Sequence, residues 1–288
     1  MIAAPVVPRF LGGDGQRIFT LLRHPRRAGA SCALLVAPFG EEMNKSRKML
    51  TDVGIELAKR GIGSVLVDPY GTGDSDGDFS QADWPRWQAD LQQAVAWCAE
   101  EGLKVDRLLG VRLGCALGAQ VARDAIPGLA QTVFWQPVLD GSRFMDQFLR
   151  LRVAASMMEQ DRKESTADLR AKFARGETVD VAGYGIGPQL AAQIDRVRLA
   201  EHVGPHLGQI HWIEVVRSAE TPPPAPATKV VDAAHAAGLN VTMYPIAGEP
   251  FWSAVEIVRI PALIERTVAL LAPTQSLPRL AGEGREGA

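Results

Sequence analysis

Short apolar runs alternate with amphipathic stretches along most of the chain, and this alternation predicts the order of its elements. Residues 6–10 and 17–22 read as strands joined by the turn Gly12-Gly13-Asp14-Gly15, the composition of a hairpin. Cys32-Ala33-Leu34-Leu35-Val36-Ala37 is wholly apolar, as a strand covered on both faces requires. Met49, Leu50, Val53 and Leu57 then recur at helical spacing, and Gly61 supplies a left-handed stop. Residues 62–67 form the next expected strand. The Gly-rich loop over residues 68–77 leads to a helix capped at Asp83, with Trp84, Trp87, Leu91, Ala94, Val95 and Cys98 on one face. Strands at 107–111 and 131–138 flank a small-residue helix over 113–125 that Pro127 closes. After a long interruption, strand, helix and strand resume at 210–216, 227–237 and 241–246, and a last helix covers 260–271.

Strands separated by helix-length connections pair in parallel. The expected fold is therefore α/β, a mostly parallel central sheet with helices on both faces. In such sheets function collects beyond the carboxyl ends of the strands, here in the loops that begin at Pro38, Asp68, Arg112, Pro137, Arg217 and Ala247. The interruption at 142–205 is polar and mostly helical, which predicts a helical cap inserted into a core of residues 1–141 and 206–272. From Pro273 the chain is Gly, Pro and charge without periodicity, and 273–288 reads as a disordered tail.

Composition narrows the functional classes. With 288 residues, 47% of them hydrophobic and 22% charged, the chain can bury one large core. A net charge of −2 supplies no field for nucleic acid or an anionic membrane surface. Cys32, Cys98 and Cys115 lie in apolar stretches without CxxC spacing, so reduced thiols are expected rather than a disulfide frame or a metal site. No cofactor is indicated. The first eight residues lack the basic and apolar regions of a signal peptide, and no apolar run approaches the roughly 18 residues of a membrane span. A soluble cytoplasmic protein is expected.

The chemistry turns on Gly110-Val111-Arg112-Leu113-Gly114, between a short apolar strand and a small-residue helix. This is the setting of the nucleophile elbow G-x-S-x-G, yet its central residue is arginine. A guanidinium stays protonated and cannot form an acyl intermediate. A literal match, Gly73-Asp74-Ser75-Asp76-Gly77, has no helix directly after it, so Ser75 reads as a turn residue. None of the five histidines follows the last strand. His235 falls within a helix, and the loop where a base belongs reads Ala247-Gly248-Glu249-Pro250-Phe251-Trp252. Pro250 thus stands at the histidine position, and Glu220 is the candidate acid. Cys115, three residues past Arg112, is expected to be buried and inert. Arg47 and Lys48 read as solvated. Leu149, Leu151, Val153, Met157 and Met158 read as cap packing rather than a lipid groove.

The segments Ala37-Pro38-Phe39-Gly40-Glu41-Glu42-Met43-Asn44-Lys45-Ser46-Arg47, 68–77, 110–114 and Trp135-Gln136-Pro137-Val138-Leu139-Asp140-Gly141 occur in this order. Together they resemble the exosortase A system-associated hydrolase 2 family, a branch of the α/β-hydrolase superfamily, over about residues 8–271. The resemblance implies an α/β-hydrolase fold with a helical cap, in bacteria that sort PEP-CTERM proteins and make exopolysaccharide. It implies protein partners in that exosortase system and supplies no substrate. Against the wider superfamily pattern, Arg112 replaces serine and Pro250 replaces histidine.

What remains at the elbow is the Leu113 amide at a helix N-terminus and an amide from Phe39 or Gly40, the parts of an oxyanion hole. Arg112 adds a positive charge, which favours a small anionic ligand. Alternatively Arg112 forms a buried ion pair with Glu41, Glu42 or Glu249, expected on loops that converge there, and the two arrangements can coexist. Two functions stay open. One is a hydrolase of an ester, acyl-type or anionic substrate, with Glu41, Glu42, Glu220 or Glu249 as base on water; the other is a non-catalytic ligand-binding or interaction protein. Either way, a fluorophosphonate serine probe is expected to leave this protein unlabelled, as intact-mass spectrometry after incubation would show. Stoichiometric adduct formation at Ser75 or any other serine contradicts the reading of the elbow.

Overall fold

β1 (Val6–Leu11) and β2 (Ile18–Arg23) form the antiparallel hairpin that the intervening glycines predict. β3 (Ser31–Val36), α1 (Glu41–Lys59), β4 (Gly63–Asp68), α2 (Trp84–Glu100), β5 (Lys104–Val111), α3 (Gly114–Ala125) and β6 (Gln131–Trp135) follow. Next come α4 (Gly141–Ser156), α5 (Thr166–Ala174), β7 (Val179–Val181), β8 (Tyr184–Ile186) and α6 (Pro188–Asp195). β9 (Gln209–Val216), α7 (Ala225–Ala236), β10 (Val241–Ala247) and α8 (Pro261–Leu271) end the series. This computed structural model describes residues 5–25, 30–157, 164–218 and 220–272. The tail expected at 273–288 and the packing expected of Met158 lie outside the described residues.

Eight strands make one sheet in the order β1-β2-β4-β3-β5-β6-β9-β10. The pairs β1–β2 and β2–β4 are antiparallel and the others parallel. From β3 the chain steps outward to β4 and then returns to β5 on the other side, so the order reverses between β3 and β5. A crevice opens at such a reversal, beyond the strands' carboxyl ends. The helices after those two strands, α1 and α3, pack on opposite faces.

Alternation of side chains along each strand builds the two cores. On one face Cys32, Leu34, Val36, Leu108, Phe134 and Trp212 pack with α2, α3 and α7. On the other, Ala33, Leu35, Leu109, Val133, Trp135 and Ile213 pack with α1 and α8. Every parallel strand thus carries apolar residues at successive positions. The expected strand at 131–138 ends at Trp135, because Gln136 turns to a φ of 43° and Pro137 has no amide for the ladder.

The stretch between β6 and β9 is not wholly helical. β7 and β8 form an antiparallel hairpin there, three residues each, too short for strand periodicity to stand out in the sequence. Tyr184 of this hairpin lies edge-on to Phe79 at 5.1 Å, and its hydroxyl accepts a hydrogen bond from Asn44 Nδ2 at 2.9 Å. The insertion is thereby tied to the first turns of α1. Leu149 is fully buried as expected of packing, whereas Leu151 and Met157 are exposed.

Asp90 on α2 is buried and accepts a hydrogen bond from the Tyr70 amide at 2.8 Å. Burial pushes its carboxyl up to about 6 against the opposing effects of that amide and Arg86. A carboxyl raised in the folded state favours folding at low pH, and that contribution is lost as pH rises through about 6. Asp90→Asn keeps an acceptor for Tyr70 and removes the ionisation. It is expected to raise stability by about 1–3 kcal/mol at pH 7.5, with no gain near pH 4, as urea unfolding at the two pH values would show. An equal effect at both contradicts this account.

Candidate functional site

Where β5 runs into α3, Arg112 takes a left-handed φ of 54°. This conformation costs a non-glycine residue on the order of 1–3 kcal/mol and persists only where the surroundings impose it. The glycines on either side show what imposes it. A side-chain carbon at Gly110 would lie 2.6 Å from Cys115 Cα, and one at Gly114 would lie 2.4 Å from the Ala37 carbonyl oxygen. Only glycine permits so close an approach of strand, turn and helix. The Arg112 amide donates to the Trp135 carbonyl at 2.9 Å, and the Val138 amide donates to the Arg112 carbonyl at 3.3 Å.

The guanidinium meets Glu42, with Nη2 at 3.1 Å and Nε at 3.3 Å from its carboxylate. Nη1 donates to the Gln136 carbonyl at 3.3 Å. Glu41 and Glu42 were expected on a loop; they are instead the first residues of α1, because Gly40, at a φ of 57°, turns the chain directly into the helix. Carboxylates there also face the positive end of the helix dipole. Burial pushes the Glu42 carboxyl upward, and the adjacent Arg112 opposes that shift.

Over the guanidinium lies Trp252, with its ring centroid 4.8 Å from the Arg112 carbon Cζ, a cation–π arrangement. Phe251 anchors this loop, fully buried and edge-on to Trp135 at 5.8 Å. Pro250 is exposed. The residue of this loop that faces Arg112 is thus Trp252 and not Pro250, since burial of Phe251 turns its neighbour toward the elbow.

A cavity of about 390 Å³ opens here, lined by Arg112, Glu42, Phe144, Phe148, Leu151 and Trp252, with Glu41 and Lys45 on α1. Lys45 donates to the Val255 carbonyl at 2.8 Å and lies 3.8 Å from Glu41. Two carboxylates and two cations therefore balance in a lining that also carries the rings of Phe144, Phe148 and Trp252. The cavity stands at the reversal point of the sheet, where α1 and the turn after β5 converge.

Sequence reasoning missed Glu214. It is buried on β9 and accepts a hydrogen bond from Trp212 Nε1 at 2.7 Å. Burial pushes its carboxyl upward, opposed by Trp212, Arg112 and Gln136. One charged residue in the otherwise apolar run from Trp212 to Val216 was the available signal. Phe144, Phe148 and Trp252, which line the cavity, were missed as well.

The other expected site residues are placed elsewhere. Phe39, Gly40 and Leu113 line a separate cavity of about 30 Å³, also bounded by Met43, Trp84 and Trp87. Phe148 covers Gly40, with a ring carbon 3.2 Å from where a side-chain carbon would stand. The Phe39 ring lies 5.1 Å from Phe148 and 5.8 Å from Phe144, two rings that line the Arg112 cavity on their other side. Glu220 and Glu249 are exposed and do not line that cavity. Hydrogen bonds to its own amide and to Ser218 hold the Glu220 carboxyl below its usual range.

Ser75 accepts from the Phe19 amide at 2.7 Å and donates to the Asp68 carbonyl, a turn role. Burial pushes the Cys115 thiol well up, which leaves it unreactive. His235 of α7 bonds the Val241 carbonyl at 2.6 Å. Arg47 is not simply solvated, because its guanidinium pairs with buried Asp68 at 2.7 Å. No group of three or more His, Cys, Asp or Glu side chains that could hold a metal exists among the described residues.

Known proteins share this architecture. Est1E from Butyrivibrio proteoclasticus, solved with ferulic acid, superposes with a TM-score of 0.64 at 14% identity, covering 90% of this chain and 96% of that one. A putative hydrolase from Agrobacterium vitis S4 gives 0.58 at 16% identity, covering 93% and 99%. Proline iminopeptidase from Mycobacterium smegmatis gives 0.56 at 15%, covering 92% and 96%. The fold is that of the α/β-hydrolases. Residues 14–147, just under half of the chain, also match the family model of X-Pro dipeptidyl-peptidase (S15 family). No curated protein matches the sequence. In the α/β-hydrolase frame, the elbow keeps its glycines and left-handed turn while its side chain is a guanidinium tied to Glu42.

Arg112 and Glu42 expose 14% and 13% of their side chains. Removing one partner leaves the other buried and uncompensated, which costs about 3–5 kcal/mol. Arg112→Ala is expected to lose that much stability at pH 8 and less at pH 5.5. The sign follows from Glu42: without the cation its raised carboxyl rises further, and the native state is penalised only where that carboxyl must ionise. Denaturant unfolding at both pH values checks this, and a loss below about 1 kcal/mol at pH 8 would contradict a structural ion pair.

Proposed function

We propose that this α/β-hydrolase-fold protein is a ligand-binding protein whose cavity takes a small amphipathic organic anion. The carrying observation is Arg112 at the nucleophile position, its guanidinium lining the 390 Å³ cavity beneath Trp252. A carboxylate head engages Arg112, and an aromatic or acyl body lies against Phe144, Phe148 and Leu151. A cation is disfavoured because Arg112 already places a guanidinium charge in the cavity, whereas a carboxylate of the protein can be protonated. That Est1E was solved with ferulic acid, itself an aromatic carboxylic acid, supports this ligand chemistry. Residues 142–205 act as the cap over the cavity, with α4 providing Phe144, Phe148 and Leu151. The resemblance to the exosortase-associated family supports a role beside the apparatus that sorts PEP-CTERM proteins and makes exopolysaccharide, with protein partners there. A cytoplasmic location agrees with the lack, among the described residues, of any helix long and apolar enough to cross a membrane.

One observation favours a second reading, hydrolysis of an ester or acyl-type substrate. Glu42 is a cavity carboxylate pushed upward by burial, the direction that suits a general base on water. The two readings part in one experiment. Titration calorimetry with ferulate and octanoate at pH 6 is expected to show binding that Arg112→Gln weakens at least tenfold, about 1.4 kcal/mol. Methyl ferulate and nitrophenyl acetate are expected to show no turnover above buffer. Methyl ferulate turnover that disappears in Glu42→Gln would establish the second reading. Ester turnover that survives Arg112→Gln and alanine at each of the four glutamates would overturn both.

A further inference from the structure

Of the four charges in the Arg112 cavity, one stands apart in its chemistry. Arg112 keeps its proton at any working pH. Lys45 is held by the Val255 carbonyl and Glu41. Glu42 is largely buried, with its carboxylate spent on the one guanidinium that a ligand anion would seek. An anion that reaches Arg112 while Glu42 stays ionised leaves two negative groups competing for one largely buried guanidinium. Like charges so placed cannot both remain ionised at low cost. Resting on the ligand-binding reading above, we infer that binding is a counter-ion exchange: the ligand's carboxylate replaces Glu42 on Arg112, and Glu42 takes one proton from solvent. The balance is protein plus ligand anion plus one proton, giving a complex in which Glu42 is neutral.

Among the described residues, the titratable groups that line the cavity or act on the pair come from few elements. Its own helix contributes Glu41 and Lys45, and the turn after β5 contributes Arg112. Tyr184 from the β8 hairpin approaches Glu41, and burial with that carboxylate raises its phenol, so it brings no charge near neutrality. Cys115 behind the elbow is a buried neutral thiol. From α4 the cavity receives Phe144, Gln147, Phe148 and Leu151, and from the loop after β10 Trp252, Ser253 and Ala254, none of them titratable. Glu214 reaches the pair from β9 through Arg112. It keeps the Trp212 indole as its donor and does not line the cavity. Burial already pushes Glu42 toward its protonated form against the pull of Arg112. Loss of that pull on ligand entry moves it further the same way.

Proton uptake makes affinity pH-dependent with a definite sign. Above the carboxyl's pKa in the free protein, each pH unit is expected to weaken ferulate binding about tenfold. The measurement is titration calorimetry of the full chain with ferulate from pH 6 to 8.5, in two buffers of different ionisation heat. One proton taken up per ferulate is expected, and none for ferulic acid amide, which brings no charge. In Glu42→Gln the uptake should vanish, the profile should flatten, and binding at pH 8 should be tighter than in the wild type. The wild-type proton count needs no variant, so a poorly folded Glu42→Gln does not blunt the test. Ferulate binding without proton uptake overturns the exchange alone and leaves the ligand-binding reading standing. Proton uptake that vanishes in Glu214→Gln but persists in Glu42→Gln also overturns it. No ferulate binding at any pH overturns both.

Discussion

The ion pair between Arg112 and Glu42 joins two elements that pack on opposite faces of the sheet. α1 leaves β3 toward one face and α3 leaves β5 toward the other, so their N-terminal ends meet only at the crevice between those strands. Arg112 reaches across that crevice from a strained left-handed turn, and Glu42 answers from the second residue of α1. Both side chains are largely withdrawn from water. A buried pair of this kind contributes little net stability compared with apolar packing, but each partner makes the other indispensable. Trp252 lies over the guanidinium at this same crevice, 4.8 Å from the Arg112 carbon Cζ.

The backbone of the elbow and its side-chain chemistry have separate causes. Gly110 and Gly114 are demanded by contacts with Cys115 and Ala37, whatever side chain sits between them. The left-handed conformation at residue 112 therefore persists without a nucleophile. The surroundings of the elbow are aromatic on two sides: Phe148 lies on Gly40, and Trp252 lies over the Arg112 guanidinium.

The insertion between β6 and β9 supplies much of that aromatic surface, and its position rests on few polar contacts. Tyr184 reaches Asn44 on α1, the same helix that carries Glu41, Glu42 and Lys45. Phe144 and Phe148 extend the cluster of Phe39, Phe79 and Trp87 into the cavity wall. Packing below the cavity and the shape of the cavity are consequently coupled through one set of rings. The loop after β10 is placed by Phe251 against Trp135, by the Gly248 amide on the Val216 carbonyl at 2.9 Å, and by Lys45 of α1 on the Val255 carbonyl.

Local periodicity and turn chemistry determined the fold class. Apolar runs such as 32–37, the stop at Gly61, the cap at Asp83 and the glycines flanking Arg112 each act over a few residues, so their consequences are readable in order along the chain. The guanidinium at the elbow was equally legible, because it is a matter of residue type alone. Pairing across the sheet was not. The choice of Glu42 over Glu41 and Glu249, the use of Trp252 in place of Pro250 and the burial of Glu214 depend on helix phase, on which neighbour Phe251 buries and on strand register. These are set by contacts between residues 70 to 140 positions apart. The β7–β8 hairpin escaped for a related reason: three-residue strands carry almost no periodic signal, and Tyr184 gains its place from Phe79 and Asn44. The sequence by itself determined which residue type stands at the elbow; only the tertiary structure decided which side chains surround the guanidinium, because packing and not local pattern brings them within reach.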